Sequence, residues 1–166
     1  MAELTKNLNY LMPTGFKITI DRENYPNLEF FCQGVTHPDI TLAAGELPFR
    51  KIRNIPLPGG TLDFGELSLT TIVDEDMNAY KEMNDWMRRI LDNPLLGPLN
   101  RQKDGVPSTA DITLSILNSQ NNQTRQIRYQ ECTPVSLGGI SFESTGGGTE
   151  YLTCTMGFRF IDFTFV

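Results

Sequence analysis

Strict alternation of apolar and polar side chains marks Phe16-Lys17-Ile18-Thr19-Ile20 as a half-buried strand. Asp21 to Asn27 then carries turn residues, and Leu28 to Val35 reads as a second strand, the mate of the first across a hairpin. Leu67 to Val73 alternates again, with Leu67, Leu69, Thr71 and Val73 on one face. The period then changes from two to about three and a half. Met77, Tyr80, Met83, Met87, Ile90 and Leu91 recur at three- and four-residue spacing, which predicts a helix over 76–91 with one apolar stripe. Asp74, Glu75 and Asp76 supply its N-cap and complement the positive helix end, and Arg88 and Arg89 complement the negative one. Asp92-Asn93-Pro94 and Gly97-Pro98 stop it.

After the helix the pattern is β. Asp111 to Leu117 alternates, Asn118 to Asn122 is a turn, and Thr124 to Cys132 pairs back as a hairpin. A short strand is expected around Pro134 to Phe142, where Gly138 and Gly139 suggest a bulge, and Ser144 to Gly148 form the last turn. From Tyr151 to Val166, Leu152, Cys154, Met156, Phe158 and Phe160 share one face, with Thr153, Thr155 and Arg159 opposite. That run would span about 53 Å at ~3.3 Å per residue, too long for one flat strand in a single domain of this length, so it must bend near Gly157 or overhang onto a partner. The sum is a mainly β (α+β) fold: a two-sheet sandwich or partly closed barrel with one flanking α-helix, all in one domain spanning 1–166.

Two stretches break the pattern. Residues 1–14, ending Met12-Pro13-Thr14, read as an N-terminal arm rather than a core element. From Thr36 to Leu62 the chain holds Pro38, Pro48, Pro56 and Pro58, and a central strand cannot tolerate residues that lack a ladder donor. Yet Leu47, Phe49, Ile52, Ile55 and Leu57 are too apolar for a solvated linker. A long ordered loop of this kind is either covered by a neighbouring subunit or packed on its own core, and both readings stand.

Charge narrows the function classes. The net charge is −6, so the chain lacks the cationic footprint that drives nucleic-acid binding. The basic run Arg50-Lys51-Ile52-Arg53, with Arg125 and Arg128 elsewhere, reads first as solvated surface. Cys32, Cys132 and Cys154 are far apart and odd in number, which suits core packing in a reducing compartment rather than a disulfide framework. No run of about 18 apolar residues is present to span a membrane, and Met1 to Lys6 does not open a secretory signal.

The parts of an active site are missing. His37, before Pro38 in the irregular stretch, is the single histidine and reads as a loop hydrogen-bonder. One histidine without paired cysteines makes no ordinary zinc site, and the spacing around Asp74-Glu75-Asp76 is not that of a calcium loop. Gly146-Gly147-Gly148 lacks the Lys and following helix of a phosphate loop, and Ser136 and Ser141 lack a nucleophile-elbow context. Neither a catalytic group, nor a cofactor site, nor a metal site is expected.

The stretch Leu62-Asp63-Phe64-Gly65-Glu66-Leu67-Ser68-Leu69-Thr70-Thr71-Ile72-Val73-Asp74-Glu75-Asp76-Met77-Asn78-Ala79-Tyr80, followed by Asn84-Asp85-Trp86-Met87, resembles the tail tube protein family of contractile-tailed bacteriophages. In that family a strand runs into a Val-Asp-Glu-Asp type helix start with a Tyr and a Trp further along. Phe30-Phe31-Cys32-Gln33 and the Pro-containing loop around Arg50-Lys51 also fit, and the specific match lies within 59–87. The resemblance implies hexameric rings that stack into a hollow inner tube, surrounded by a contractile sheath and bounded by baseplate and tail terminator. The sheets of neighbouring subunits would join into one barrel, and the loop 36–65 would reach the next ring. It further implies Arg50, Lys51, Arg53 and Asn54 in ring stacking, and Asp74, Glu75, Glu82 and Asp85 on a helix offered to the sheath. DNA would pass through a lumen carrying part of the chain's negative charge, without specific binding. The protein would sit in the virion tail after assembly in the host cytoplasm. Competing readings are a tube-like baseplate or tail-completion protein, an inner-tube protein of a type VI secretion system, and a monomeric binding module with a pocket under the 36–62 loop.

Overall fold

The longest strand, Gln123–Leu137, belongs to two sheets at once, and the rest of the chain is arranged around it. The computed structural model describes residues 9–49, 53–91, 102–103, 106–143 and 151–166. In chain order the elements are β1 (Phe16–Thr19), α1 (Pro26–Phe31), β2 (Cys32–Thr36), β3 (Ile40–Leu42), β4 (Gly45–Phe49), β5 (Arg53–Leu57), β6 (Leu62–Phe64) and β7 (Leu67–Ile72). Then follow α2 (Asn78–Leu91), β8 (Gln102–Lys103), β9 (Val106–Pro107), β10 (Ala110–Leu117), β11 (Gln123–Leu137), β12 (Thr153–Arg159) and β13 (Asp162–Phe165).

The first half of β11 lies between β10 and β13, with β1 beyond β10, and makes the first sheet. Its second half pairs with β12, and the order continues through β7 to β2 as the second sheet. All of these pairings are antiparallel. The apolar faces meet in a core that includes Ile18, Leu67, Leu69, Ile112, Leu114, Tyr129, Met156 and Phe158. The expected mainly β sandwich with a flanking helix is what the chain forms, open rather than closed into a barrel.

The strand expected over Leu28 to Val35 is half helix. Pro26 opens α1, where its missing N–H costs nothing, and Leu28 is buried beneath it. The deciding group comes from elsewhere in the chain. The Glu82 carboxylate of α2 accepts the backbone N–H of Asn27 at 3.2 Å and of Leu28 at 3.1 Å, satisfying two donors that a helix start leaves free. No hairpin forms between β1 and this segment: β1 pairs with β10, and β2 pairs with β7.

Helix α2 begins at Asn78, two residues later than expected, because Met77 at φ 53° closes a turn on the Asp74 carbonyl. Its buried stripe is Ala79, Met83 and Trp86, flanked by half-buried Tyr80, Met87 and Ile90. Leu91, expected in the stripe, is 80 % exposed. Trp86 is the centre of the helical layer. It stacks on Tyr25 at 4.2 Å, packs on Phe158 at 5.6 Å, and its indole N–H donates to the Ser108 carbonyl at 2.8 Å. The expected helix stop, Asp92 to Pro98, and the expected turn, Ser144 to Gly148, lie outside the described residues, as do residues 1–8 of the arm.

Thr124–Cys132 and the expected short strand from Pro134 merge into β11, which ends at Leu137. The register shift falls between Pro134 and Ser136 rather than at the glycines. Likewise the bend expected near Gly157 lies at Phe160–Ile161, where β12 hands over to β13 and the Ile161 N–H donates to the Gln130 carbonyl. This bend is level with the point at which β11 passes from β13 to β12, between Gln130 and Thr133.

Replacing Trp86 with Ala removes a fully buried indole and orphans the Ser108 carbonyl. The expected loss is about 3–5 kcal/mol, read as a lower urea midpoint with unchanged slope for the dispersed protein.

Candidate assembly surfaces

Between β2 and β7 the chain leaves the sandwich as an arm. β3 pairs with β6, and beyond them β4 pairs with β5, so the expected loop is a long two-stranded ribbon. Pro48 and Pro56 are tolerated because neither ribbon strand has a third strand beside it among the described residues. Gly59 permits the close crossing within the arm: a Cβ there would lie 1.2 Å from the Ala43 carbonyl oxygen. Two-stranded ribbons bury little, and Ile40, Leu42, Leu47, Ile55, Leu57 and Leu62 are each 41–55 % exposed. Such a row of wetted aliphatic side chains marks a contact surface.

An aromatic cluster anchors the base of the arm. Phe64 packs on Phe160 and Phe163, each at 5.6 Å, and the His37 ring meets Phe163 edge-on at 5.2 Å. His37 Nδ1 lies 2.6 Å from the Tyr129 hydroxyl, so the histidine is the hydrogen-bonder expected of it. Desolvation lowers the His37 pKa from its ordinary value, and burial pushes the Tyr129 phenol up. The cysteines are free; burial raises Cys154 and pushes the Cys32 thiol up to about 11 and Cys132 to about 12, which keeps them protonated at neutral pH.

Of the residues implicated in stacking, Arg50 and Lys51 lie outside the described residues. Arg53 opens β5 opposite Phe49, and the exposed Asn54 donates its amide to Glu46 across the ribbon at 2.8 Å. The four acidic positions divide. Glu75 and Asp85 are exposed. Asp74 accepts the Ala79 N–H at 3.4 Å and the Asn78 amide at 2.9 Å. Desolvation pushes its carboxyl up, but those donors together hold it below the ordinary value. Glu82 is turned toward α1, where the Asn27 side-chain amide is a further partner.

The two sheets differ on their outward faces. On the first stand Lys17, Asp111, Arg128 and Asp162, with Arg128 donating to Asp111. On the second the alternation places Gly34 and Thr36 of β2, Ser68, Thr70 and Ile72 of β7, Thr153, Thr155 and Gly157 of β12, and Ser136 of β11. Sequence reading found the Thr153, Thr155 side of β12; its partners across the sheet required the register. An open groove of about 820 Å³ lies between β1 and the α1–β2 segment, lined by Phe16, Ile18, Phe30 and the Arg22–Glu29 pair. It lies at the sheet edges, not under the arm.

The model of the phage tail tube protein family matches residues 3–166. The chain belongs to that family. No curated protein sequence matches it. Among solved structures the tube protein is similar to a chain of the sheath–tube complex of an extracellular contractile injection system, PVC, in its extended state. There the TM-score is 0.66 at 16 % identity, covering 96 % of this chain and 93 % of that one. A chain of the tube-terminating cap of the anti-feeding prophage gives 0.66 at 18 % identity, covering 99 % and 95 %. A chain of that prophage's baseplate gives 0.61 at 16 %, covering 100 % and 97 %. At these identities the likeness establishes the fold, which is that of contractile-system tube proteins. Among the described residues no three His, Cys, Asp or Glu side chains gather to hold a metal ion, and no helix is long and apolar enough to cross a membrane.

The His37 contact gives the arm's base a defined pH response. A histidine whose folded pKa is lowered stabilises the fold above its unfolded value of 6.5 and loses that contribution as pH falls through the folded value. The melting temperature of the wild-type protein is therefore expected to fall more steeply than that of His37→Gln as pH drops from about 7 to 5. Parallel curves would refute the assignment.

Proposed function

We propose that this tube protein forms hexameric rings that stack into the inner tail tube, a conduit for genome ejection inside a contractile sheath. The observation that carries the reading is an open sandwich with an exposed apolar arm. β2 ends the second sheet, and residues 133–137 of β11 pair with β12 alone among the described residues. Because every pairing across this sheet is antiparallel, β11 and β2 run in opposite directions. The β11 edge of one copy can therefore meet the β2 edge of the next and continue the alternation. Six such junctions close a ring and remove the exposed-edge liability.

The arm, reaching out from the β2–β7 end, docks on the adjacent ring through its aliphatic flanks, and Arg50, Lys51, Arg53 and Asn54 take part in the stacking. Helix α2 faces outward to the sheath with Glu75 and Asp85, while Asp74 and Glu82 hold helix starts and contribute charge from behind. The role is structural rather than catalytic. Its partners are other copies, the sheath, the baseplate and the tail terminator, with DNA crossing the lumen unbound. Its place is the virion tail, after assembly in the host cytoplasm. A tube-like baseplate protein is the second reading, favoured by the match to the anti-feeding prophage baseplate.

Electron microscopy of the purified chain tests this: tubes of uniform bore are expected, and monomers at every concentration would overturn it. Reversing charge at Arg50, Lys51 and Arg53 together is expected to leave rings intact and abolish stacking. Tubes of undiminished length would overturn their assignment to stacking.

A further inference from the structure

We infer that the hydroxyl-bearing face of the second sheet is the wall of the bore, and that Glu66 keeps this wall free of uncompensated positive charge by pairing with Arg159. The inference rests on the tube reading above and adds the chemistry of the surface that DNA would slide along.

The orientation follows from the helices. Trp86 and Met83 of α2 pack in the same core as Leu69, Met156 and Phe158, so α2 covers the inner face of the second sheet. If α2 faces the sheath, the opposite face of that sheet points toward the tube axis. That face is built from short side chains. Across β7 and β12 Thr70 stands opposite Thr155, Ser68 opposite Gly157 and Thr153 opposite Ile72, with Gly34 of β2 on the same side. The first sheet would make a poorer wall: Lys17 and Arg128 stand out from it beside Asp111 and Asp162.

Short hydroxyl side chains suit passage of a polyanion. They keep the bore wide, hydrogen-bond water, and carry no charge to hold phosphates by counterion release. On this placement the lumen would carry only a small part of the chain's net −6. Among the described residues of this face one long cation interrupts the wall. Arg159 ends β12 with its side chain 72 % exposed, and its Nε lies 3.5 Å from the Glu66 carboxylate. The carboxylate lies across the face at Gly157, where a Cβ would come within 3.2 Å of Glu66 Oε2 and 2.3 Å of Ser136 Oγ. Glycine at 157 leaves room for both. An exposed ion pair of this kind adds little to stability. Its effect is on charge: six copies would otherwise ring the bore with arginines.

Assembled tubes of wild type, Glu66→Gln and Glu66→Gln/Arg159→Gln are mixed at low salt with a fluorescent oligothymidylate and pelleted. Wild-type and double-variant tubes are expected to leave the oligonucleotide in the supernatant. Glu66→Gln tubes are expected to carry down at least several-fold more, and to release it as salt is raised. Equal retention by all three, or retention by the double variant equal to that of Glu66→Gln, would overturn the role of Glu66. Placement of the wall is read separately in tubes of Thr155→Cys and Glu75→Cys. A small maleimide should label both, whereas a maleimide coupled to a large carrier protein should label only position 75. Labelling of Thr155→Cys by the carrier at the rate of Glu75→Cys would overturn the placement. Absence of tubes from every chain, wild type included, would instead defeat the parent reading.

Discussion

The corner in β11 is the constraint on which the two-sheet arrangement rests. At Glu131 the backbone takes φ 50°, a conformation unfavourable for a residue with a Cβ, and the structure holds it there. The Glu131 N–H donates to Asp111 Oδ1 at 3.0 Å, while Arg128 donates to Asp111 Oδ2. Desolvation pushes the Asp111 carboxyl up, but the Glu131 N–H and the Arg128 guanidinium outweigh it and hold the group below its ordinary value. One carboxylate thereby fixes the point at which a strand leaves β10 and turns to β12. The return strand breaks at the same level, at Ile161. Without this corner, residues 151–166 would continue flat past the first sheet, and the second sheet would lose its junction.

From the corner follows an unfinished surface. A strand shared between two sheets leaves part of its edge without a partner among the described residues, since β10 stops at Ala110 opposite Cys132. The arm adds aliphatic residues that the subunit does not cover. Both features oppose solubility of an isolated subunit; in the proposed tube both would be covered by further copies, which would link protomer stability to tube formation by mass action. The helical layer is different in kind. Trp86, Tyr25 and Leu28 are fully buried within one subunit, which makes α1 and α2 a rigid block.

Where sequence reading succeeded, the signal was local periodicity. Leu67, Leu69 and Thr71 are buried as their alternation requires, and Cys154, Met156 and Phe158 likewise. Where it failed, the deciding partner was distant in the chain. Residues 28–31 are helical because Glu82, more than fifty positions away, accepts the N–H groups of Asn27 and Leu28. The same residue, read as a surface acid on α2, is spent on that contact. Trp86 fell outside the expected stripe because a helix buried against both a second helix and a sheet has a wider apolar arc than spacing from Met77 predicts.

By itself, the sequence determined the strands that alternate, the acidic start and apolar face of the long helix, the exclusion of a central strand across the prolines, and the family. Each of these is set by side-chain chemistry within a few residues. Only the tertiary structure decided which strands neighbour one another, where the long strands turn, and which acids remain exposed. It also decided that the hydroxyls of β7 and β12 form one continuous face. Register and pairing depend on contacts between segments far apart in the chain, and no local pattern encodes them.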